Sequence, residues 1–145
     1  CEEELWDRVM SVNLKGTFLC SQAAYPILKA RGKGAIINLT SLAGKTGGLA
    51  AGPPYGAAKA GVLAMTLALA RSLAPFGVRA NGIAPGIIET EMTDNPLHKK
   101  LAEQIPLGKK GSALDVANCA LFLASDDSAH ITGEIIDVNG GLLMD

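Results

Sequence analysis

Three short apolar runs, each preceded by helix-patterned sequence and closed by turn-forming residues, constrain this 145-residue chain more than any other feature. Ala35-Ile36-Ile37-Asn38-Leu39 follows Gly34 and stops at Thr40-Ser41. Val78 to Ala84 ends at Pro85-Gly86, and Glu134 to Val138 ends at Asn139-Gly140-Gly141. Runs this short read as strands, and the first, with no polar alternation, reads as a strand buried on both faces. A helix is predicted from Glu3 to Ala30, where Leu5, Val9 and Val12, or Trp6 and Met10, recur at helical spacing. Glu2, Glu3 and Glu4 suit its first turn, and Pro26 is expected to kink its last turns. A second helix is predicted from Tyr55 to Leu73. A third opens at Ser112-x-x-Asp115, a capping-box pattern, and runs to about Ser125. Leu42 to Pro54 reads as a loop rich in Gly, Ala and Pro, and Ile87 to Gly111 as a mixed segment with a short helix near Leu97 to Gln104. Helix and strand alternate three times, which predicts an α/β layer structure with a parallel sheet.

Composition narrows the function classes. With 48% hydrophobic and 19% charged residues, the chain can bury a core and does not read as disordered. A formal charge of −1 provides no electrostatic attraction toward nucleic acid or anionic lipid. The pairs Lys99-Lys100 and Lys109-Lys110 read as solvated surface. Cys1, Cys20 and Cys119 have neither disulfide-framework nor zinc-site spacing, and Cys20 and Cys119 read as small core residues. A reducing cytoplasm fits that usage. The apolar stretch Ala60 to Ala70, interrupted by Thr66, is too short to cross a bilayer, and no signal peptide opens the chain. Its first residues, Cys-Glu-Glu-Glu-Leu-Trp, read as the interior of a longer protein.

In an open parallel sheet, ligands bind beyond the carboxyl ends of the strands. The loop after Leu39 carries Thr40 and Ser41 and leads to Tyr55 and Lys59, four residues apart on one helix face. Tyr25 and Lys29 share that spacing, but they fall at the end of a helix, on the wrong edge of the sheet for a site. A free phenol has a pKa of about 10. An ammonium ~4 Å away, at an effective dielectric near 20, stabilises the phenolate by up to roughly 4 kcal/mol. Such a neighbour would move a tyrosine toward the range where general acid–base catalysis works. Ser41 could hydrogen-bond a substrate oxygen as charge develops on it. Gly44-Lys45-Thr46 matches the end of a phosphate-binding loop, but that motif requires glycine where Leu39 stands. His98 and His130 have no partners at metal-ligand spacing, and no G-x-G-x-x-G occurs.

Taken in order, these segments resemble the short-chain dehydrogenase/reductase family over essentially the whole chain. The matching runs are Val12-Asn13-Leu14, Ile37-Asn38-Leu39-Thr40-Ser41, Tyr55-Gly-Ala-Ala-Lys59-Ala-Gly, Asn81-Gly-Ile-Ala-Pro85-Gly86-Ile-Ile-Glu-Thr90 and Val138-Asn-Gly-Gly141. The resemblance implies a Rossmann-like, doubly wound parallel sheet of which residues 1–145 are the C-terminal catalytic half, with the N-terminal strands missing. It implies hydride transfer between NAD or NADP and a carbonyl or secondary alcohol. Tyr55 would be the proton donor. Lys59 would lower its pKa and bind the nicotinamide ribose, Ser41 would orient the substrate oxygen, and Asn13 would hold a relay water. Pro85, Gly86, Ile88 and Thr90 would surround the nicotinamide amide, and Thr90 to Gly111 would be the substrate lid.

Two departures stand out. The path from Ser41 to Tyr55, with Pro53-Pro54 before the tyrosine, is one residue longer than common in the family. The Gly-rich dinucleotide turn and the residue that selects NAD or NADP lie outside this sequence. Within the family, the runs from Pro85 to Thr93 and from Asn139 to Asp145 look most like 3-oxoacyl-[acyl-carrier-protein] reductases, with an acyl-thioester substrate and a homodimeric or homotetrameric assembly. Sugar and polyol dehydrogenases share much of the pattern. The rival class is a non-catalytic module for oligomerisation or folding.

Overall fold

The computed structural model describes residues 1–48 and 50–144. Leu49, within the expected loop, and Asp145, the last residue of the C-terminal run, lie outside them. The elements are α1 (Glu3–Met10), a π-helical turn (Ser11–Lys15), α2 (Gly16–Arg31), β1 (Gly34–Leu39), α3 (Leu42–Thr46), α4 (Pro53–Leu73), β2 (Val78–Pro85), α5 (Pro96–Ala102), α6 (Ala113–Ala124) and β3 (Ile135–Val138).

The three strands form one parallel sheet in the order β1-β2-β3. Gly34 to Leu39 pair with Val78 to Ile83, and Gly82 to Pro85 pair with Ile135 to Val138. β2, paired on both sides, carries the buried centre: Val78, Ala80, Asn81, Ile83 and Ala84 are all buried. Helix α4 lays Val62, Thr66, Ala70 and Leu73 on the sheet, a repeat of three to four residues that keeps one face inward. Asn38 Nδ2 donates to Thr66 Oγ1 at 2.9 Å, so the one buried polar side chain of β1 is satisfied by the helix above it. Side chains alternate along a strand, so Arg79 lies on the other face of the sheet. There it donates to the carbonyls of Leu123 (2.9 Å) and Ser125 (3.0 Å) at the end of α6. Helices on both faces make the sheet doubly wound, as expected.

Local chemistry explains the boundaries. Pro53 and Pro54 occupy the first positions of α4, where a missing N–H costs nothing. Ser112 and Asp115 close the expected capping box on α6: Asp115 N donates to Ser112 Oγ at 3.2 Å, and Ser112 N donates to Asp115 Oδ2 at 2.7 Å. Donation from Ser112 N, and from Ser112 Oγ at 2.7 Å, to Asp115 Oδ2 holds the Asp115 carboxyl below the usual carboxylate range.

Four expectations need correction. The first long helix runs from Glu3 to Arg31 as expected but is not uniformly α: a π-helical turn at Ser11–Lys15 lies within it. The expected loop after Ser41 contains helix α3. β1 is not buried on both faces: Asn38 alone is buried, Gly34 to Ile37 are half-buried and Leu39 is 50% exposed. Cys20 is exposed on α2 beside that edge strand, rather than in the core. By length and composition Pro53–Phe76 could cross a membrane. Here it is the core helix, with the face from Val62 to Leu73 packed on the sheet.

Candidate active site

Because the strands are parallel, their carboxyl ends share one edge, and the segments after β1, β2 and β3 meet there. Between them lies a cleft of about 480 Å³, within the range of small-molecule sites. Asn13, Ser41, Tyr55 and Gly86, from four separate segments, all line it.

Ser41 leaves β1 in an extended conformation and caps α3, its Oγ accepting from Ala43 N at 3.1 Å. A hydroxyl that accepts there keeps its own proton for donation. Tyr55 stands in the first turn of α4, half-buried. One turn on, Lys59 Nζ donates to the Leu39 carbonyl at 2.9 Å and lies 5.6 Å from the centroid of the Tyr55 ring. The lysine is thus anchored on the end of β1, beside the tyrosine ring. Burial pushes its amine below the ordinary lysine value. Asn13 lies in the π-helical turn, a widening often found at functional sites. Its Nδ2 donates to Val9 O at 3.1 Å, and its carbonyl accepts from Thr17 Oγ1 at 2.8 Å.

Two glycines set the spacing of these parts. A Cβ on Gly44 would stand 2.7 Å from the Lys59 carbonyl carbon, so α3 rests directly on the backbone beneath Lys59. A Cβ on Gly86 would stand 2.7 Å from Asn139 Cβ, and Gly86 N donates to Val138 O at 2.9 Å. The ends of β2 and β3 therefore close tightly under the cleft.

Of the residues expected around the nicotinamide, Gly86 lines the cleft, whereas Pro85, Ile88 and Thr90 flank it. The Ile88 carbonyl accepts from Thr93 Oγ1, and the exposed Thr90 hydroxyl reaches that same carbonyl at 3.5 Å. Sequence reasoning missed Ile87, Met92, Thr93, His98, Leu101 and Leu142, which also line the cleft. Ile87, Met92 and Thr93 belong to the stretch between β2 and α5, Leu142 to the chain end, and His98 and Leu101 to α5, a helix too short for periodicity to mark its inward face. The segment expected to be a lid is fastened at both ends, since Gly111 N donates to Ile87 O at 3.0 Å and Glu89 N to Gly111 O at 2.8 Å. Lys110, expected to be solvated, instead donates to the Thr93 carbonyl at 3.1 Å across that segment.

The control pair lies elsewhere. The Tyr25 hydroxyl reaches the Ser72 carbonyl at 3.5 Å in a groove between α2 and α4, and Lys29 Nζ lies 4.4 Å from the centroid of the Phe76 ring.

Known proteins match this chain over nearly its whole length. A family profile described as enoyl-(acyl carrier protein) reductase matches residues 1–143. The (3R)-3-hydroxyacyl-CoA dehydrogenase of Rattus norvegicus is 47% identical over 98% of this chain and 56% of its own length. A 3-oxoacyl-[acyl-carrier protein] reductase from Brucella melitensis, solved with bound NAD, superposes with a TM-score of 0.94 at 35% identity, covering 100% of this chain and 54% of that one. An Agrobacterium tumefaciens protein, assigned provisionally as a 2-deoxy-D-gluconate 3-dehydrogenase and solved with bound NADP, superposes with a TM-score of 0.91 at 40% identity, covering 98% of this chain and 60% of that one. The chain thus spans little more than half the length of the relatives it matches. It belongs to the short-chain dehydrogenase/reductase family of oxidoreductases.

Proposed function

We propose that this chain is the catalytic half of an NAD(P)-dependent reductase acting on 3-oxoacyl thioesters, with the reverse oxidation of a secondary alcohol available. The observation that carries the reading is the convergence of Asn13, Ser41, Tyr55 and Gly86 on one cleft, with Lys59 anchored beside it. The cleft combines an apolar wall (Ile87, Leu101, Leu142) with a few convergent polar groups, which suits a flat nicotinamide ring and an acyl substrate.

When bound, the nicotinamide supplies or accepts the hydride. Tyr55 gives its hydroxyl proton to the substrate's carbonyl oxygen, and the Ser41 O–H donates to the same oxygen, favouring the charge that grows there. The Lys59 ammonium, fixed by the Leu39 carbonyl, keeps two further donors, for the ribose hydroxyls and toward the tyrosine. Its charge beside the Tyr55 ring favours the phenolate left after proton transfer. Asn13, held in the widened turn, offers its carbonyl to a water that returns a proton to Lys59. Gly86 would line the nicotinamide site, with Pro85, Ile88 and Thr90 alongside, and the segment from Thr90 to Gly111 would cover the substrate. These groups serve NAD and NADP equally. A sugar or polyol substrate is the second reading, favoured by the likeness to the sugar-acid dehydrogenase. The apolar lining of Met92, Leu101 and Leu142 favours the acyl chain. The reading places the enzyme in the cytoplasm, acting on small molecules as a homodimer or homotetramer.

In the full-length protein, Tyr55→Phe should cut reduction of an acetoacetyl thioester by at least about 10²-fold, the usual contribution of a general acid. Tyr25→Phe should leave most of it. Equal losses from both would refute the positional argument. Failure of the unaltered protein to oxidise NADH or NADPH with any ketone would leave the non-catalytic module as the better reading.

A further inference from the structure

The sequence motif Gly44-Lys45-Thr46 has no part in the mechanism above, yet its lysine makes the most buried ion pair among the described residues. Lys45 Nζ pairs with Asp137 Oδ2, with the two side chains only 15% and 16% exposed. The other carboxylate oxygen of Asp137, Oδ1, is buried with no hydrogen-bond partner among the described residues, so the charge leans on Lys45.

The pair joins two parts of the site that are distant in sequence. Lys45 lies in α3, whose N-cap is Ser41 and whose Gly44 rests on the backbone of Lys59 and Ala60. Asp137 lies in β3 opposite Ala84, one residue before Val138, whose carbonyl holds Gly86 N. One ion pair therefore ties the element that aims Ser41 to the strand that supports Gly86. A five-residue helix cannot hold its orientation through its own hydrogen bonds, so its aim depends on outside contacts.

We propose that Lys45 and Asp137 are positioning residues: their ion pair holds α3 at the angle that sets Ser41 against Tyr55 and the Pro85-Gly86 turn. Neither residue touches the reacting atoms. The inference rests on the reading of Ser41, Tyr55 and Lys59 as the reaction centre. Misplacing a catalytic group by about 1 Å can cost ~10²-fold in rate, so a brace of this kind acts on turnover more than on affinity.

The test uses the full-length protein. Lys45→Met alone strands a buried carboxylate and is expected to fold poorly. The informative variant is therefore the double replacement Lys45→Met with Asp137→Leu, since exchanging a buried pair for apolar groups is often neutral for stability. The double variant should unfold close to the parent's midpoint and keep KM for nucleotide and thioester within about threefold. Its kcat should fall at least tenfold, with a larger primary isotope effect from deuterated NADPH and faster amide exchange at residues 42–47. Lys45→Arg, which keeps the pair, should retain most of kcat. A double variant with kcat within twofold of the parent overturns the proposal. So does one whose activity, stability and nucleotide affinity fall in parallel, because that marks a purely structural role. If the parent itself reduces no ketone, the functional reading has failed instead, and amide exchange alone decides: unchanged protection at 42–47 refutes the brace, and faster exchange upholds it.

Discussion

Replacing Gly44 with alanine sets local propensity against tertiary packing, and the two disagree in sign. Gly44 lies inside helix α3, where exchanging glycine for alanine ordinarily gains about 1 kcal/mol. In the structure a Cβ there would stand 2.7 Å from the Lys59 carbonyl carbon, 2.8 Å from Ala60 N and 3.0 Å from Lys59 O. Comfortable carbon contacts begin near ~3.5 Å, so the overlap is roughly 0.8 Å. All three atoms are helix backbone, which cannot turn aside as a flexible side chain can. Overpacking costs about 1–3 kcal/mol, and an immobile neighbour places this case at the upper end. The net expectation is a loss of about 1–2 kcal/mol, a fall in Tm of roughly 2–8 °C for a domain of this type. Urea unfolding of the full-length protein would measure it, alongside Gly47→Ala as control. At Gly47 φ is +82° and nothing lies within 4 Å of the added Cβ, so only the backbone penalty of about 1–2 kcal/mol applies. Gly44→Ala should also lower kcat more than the control, because relief of the overlap moves α3 off Lys59. A Gly44→Ala protein at least as stable as the parent would refute the close approach of α3 to α4.

Other outcomes follow from the same geometry. The groove between α2 and α4, with Phe18, Tyr25, Met65, Ala68 and Leu69, is expected to be covered by a second copy in solution. Light scattering of the full-length protein should show at least a dimer that Ala68→Glu dissociates, and a clean monomer at micromolar concentration would refute this. The 145-residue chain alone should bind NADH and NADPH only weakly and turn over no ketone, since it carries no Gly-rich turn for the pyrophosphate. Tight saturable binding by nucleotide fluorescence, with ketone reduction, would count against it. Burial lowers the Lys59 pKa, so between that value and the ordinary ~10.4 the folded state binds fewer protons than the unfolded one. Stability relative to Lys59→Met should therefore rise with pH across that window. A flat difference in urea midpoints from pH 7 to about 11 would contradict the burial.

Much of this was legible in order and chemistry. The three apolar runs specified a parallel sheet, because strand and helix periodicities are local properties of side-chain spacing. The parallel arrangement then told Tyr55 from Tyr25, since only one lies at a carboxyl edge. A Ser-Asp pair marked the start of α6 for an equally local reason, whereas Pro53 and Pro54, read as loop, proved to be the first residues of α4. Tertiary structure alone decided the rest. The π-helical turn at Asn13 spans only five residues, too few for the apolar period to register the widening. Helix α3 is too short for periodicity to register and is held by Gly44 on α4 and by Lys45 on Asp137, contacts that bridge up to 92 positions of sequence. The apolar wall of the cleft comes from the stretch after β2, the short helix α5 and the chain end, whose inward faces exist only once the lid is pinned between Ile87 and Gly111. Lys59 found its partner in the Leu39 carbonyl, 20 residues back, because its reach is set by where β1 ends against α4, a distance that no local spacing encodes.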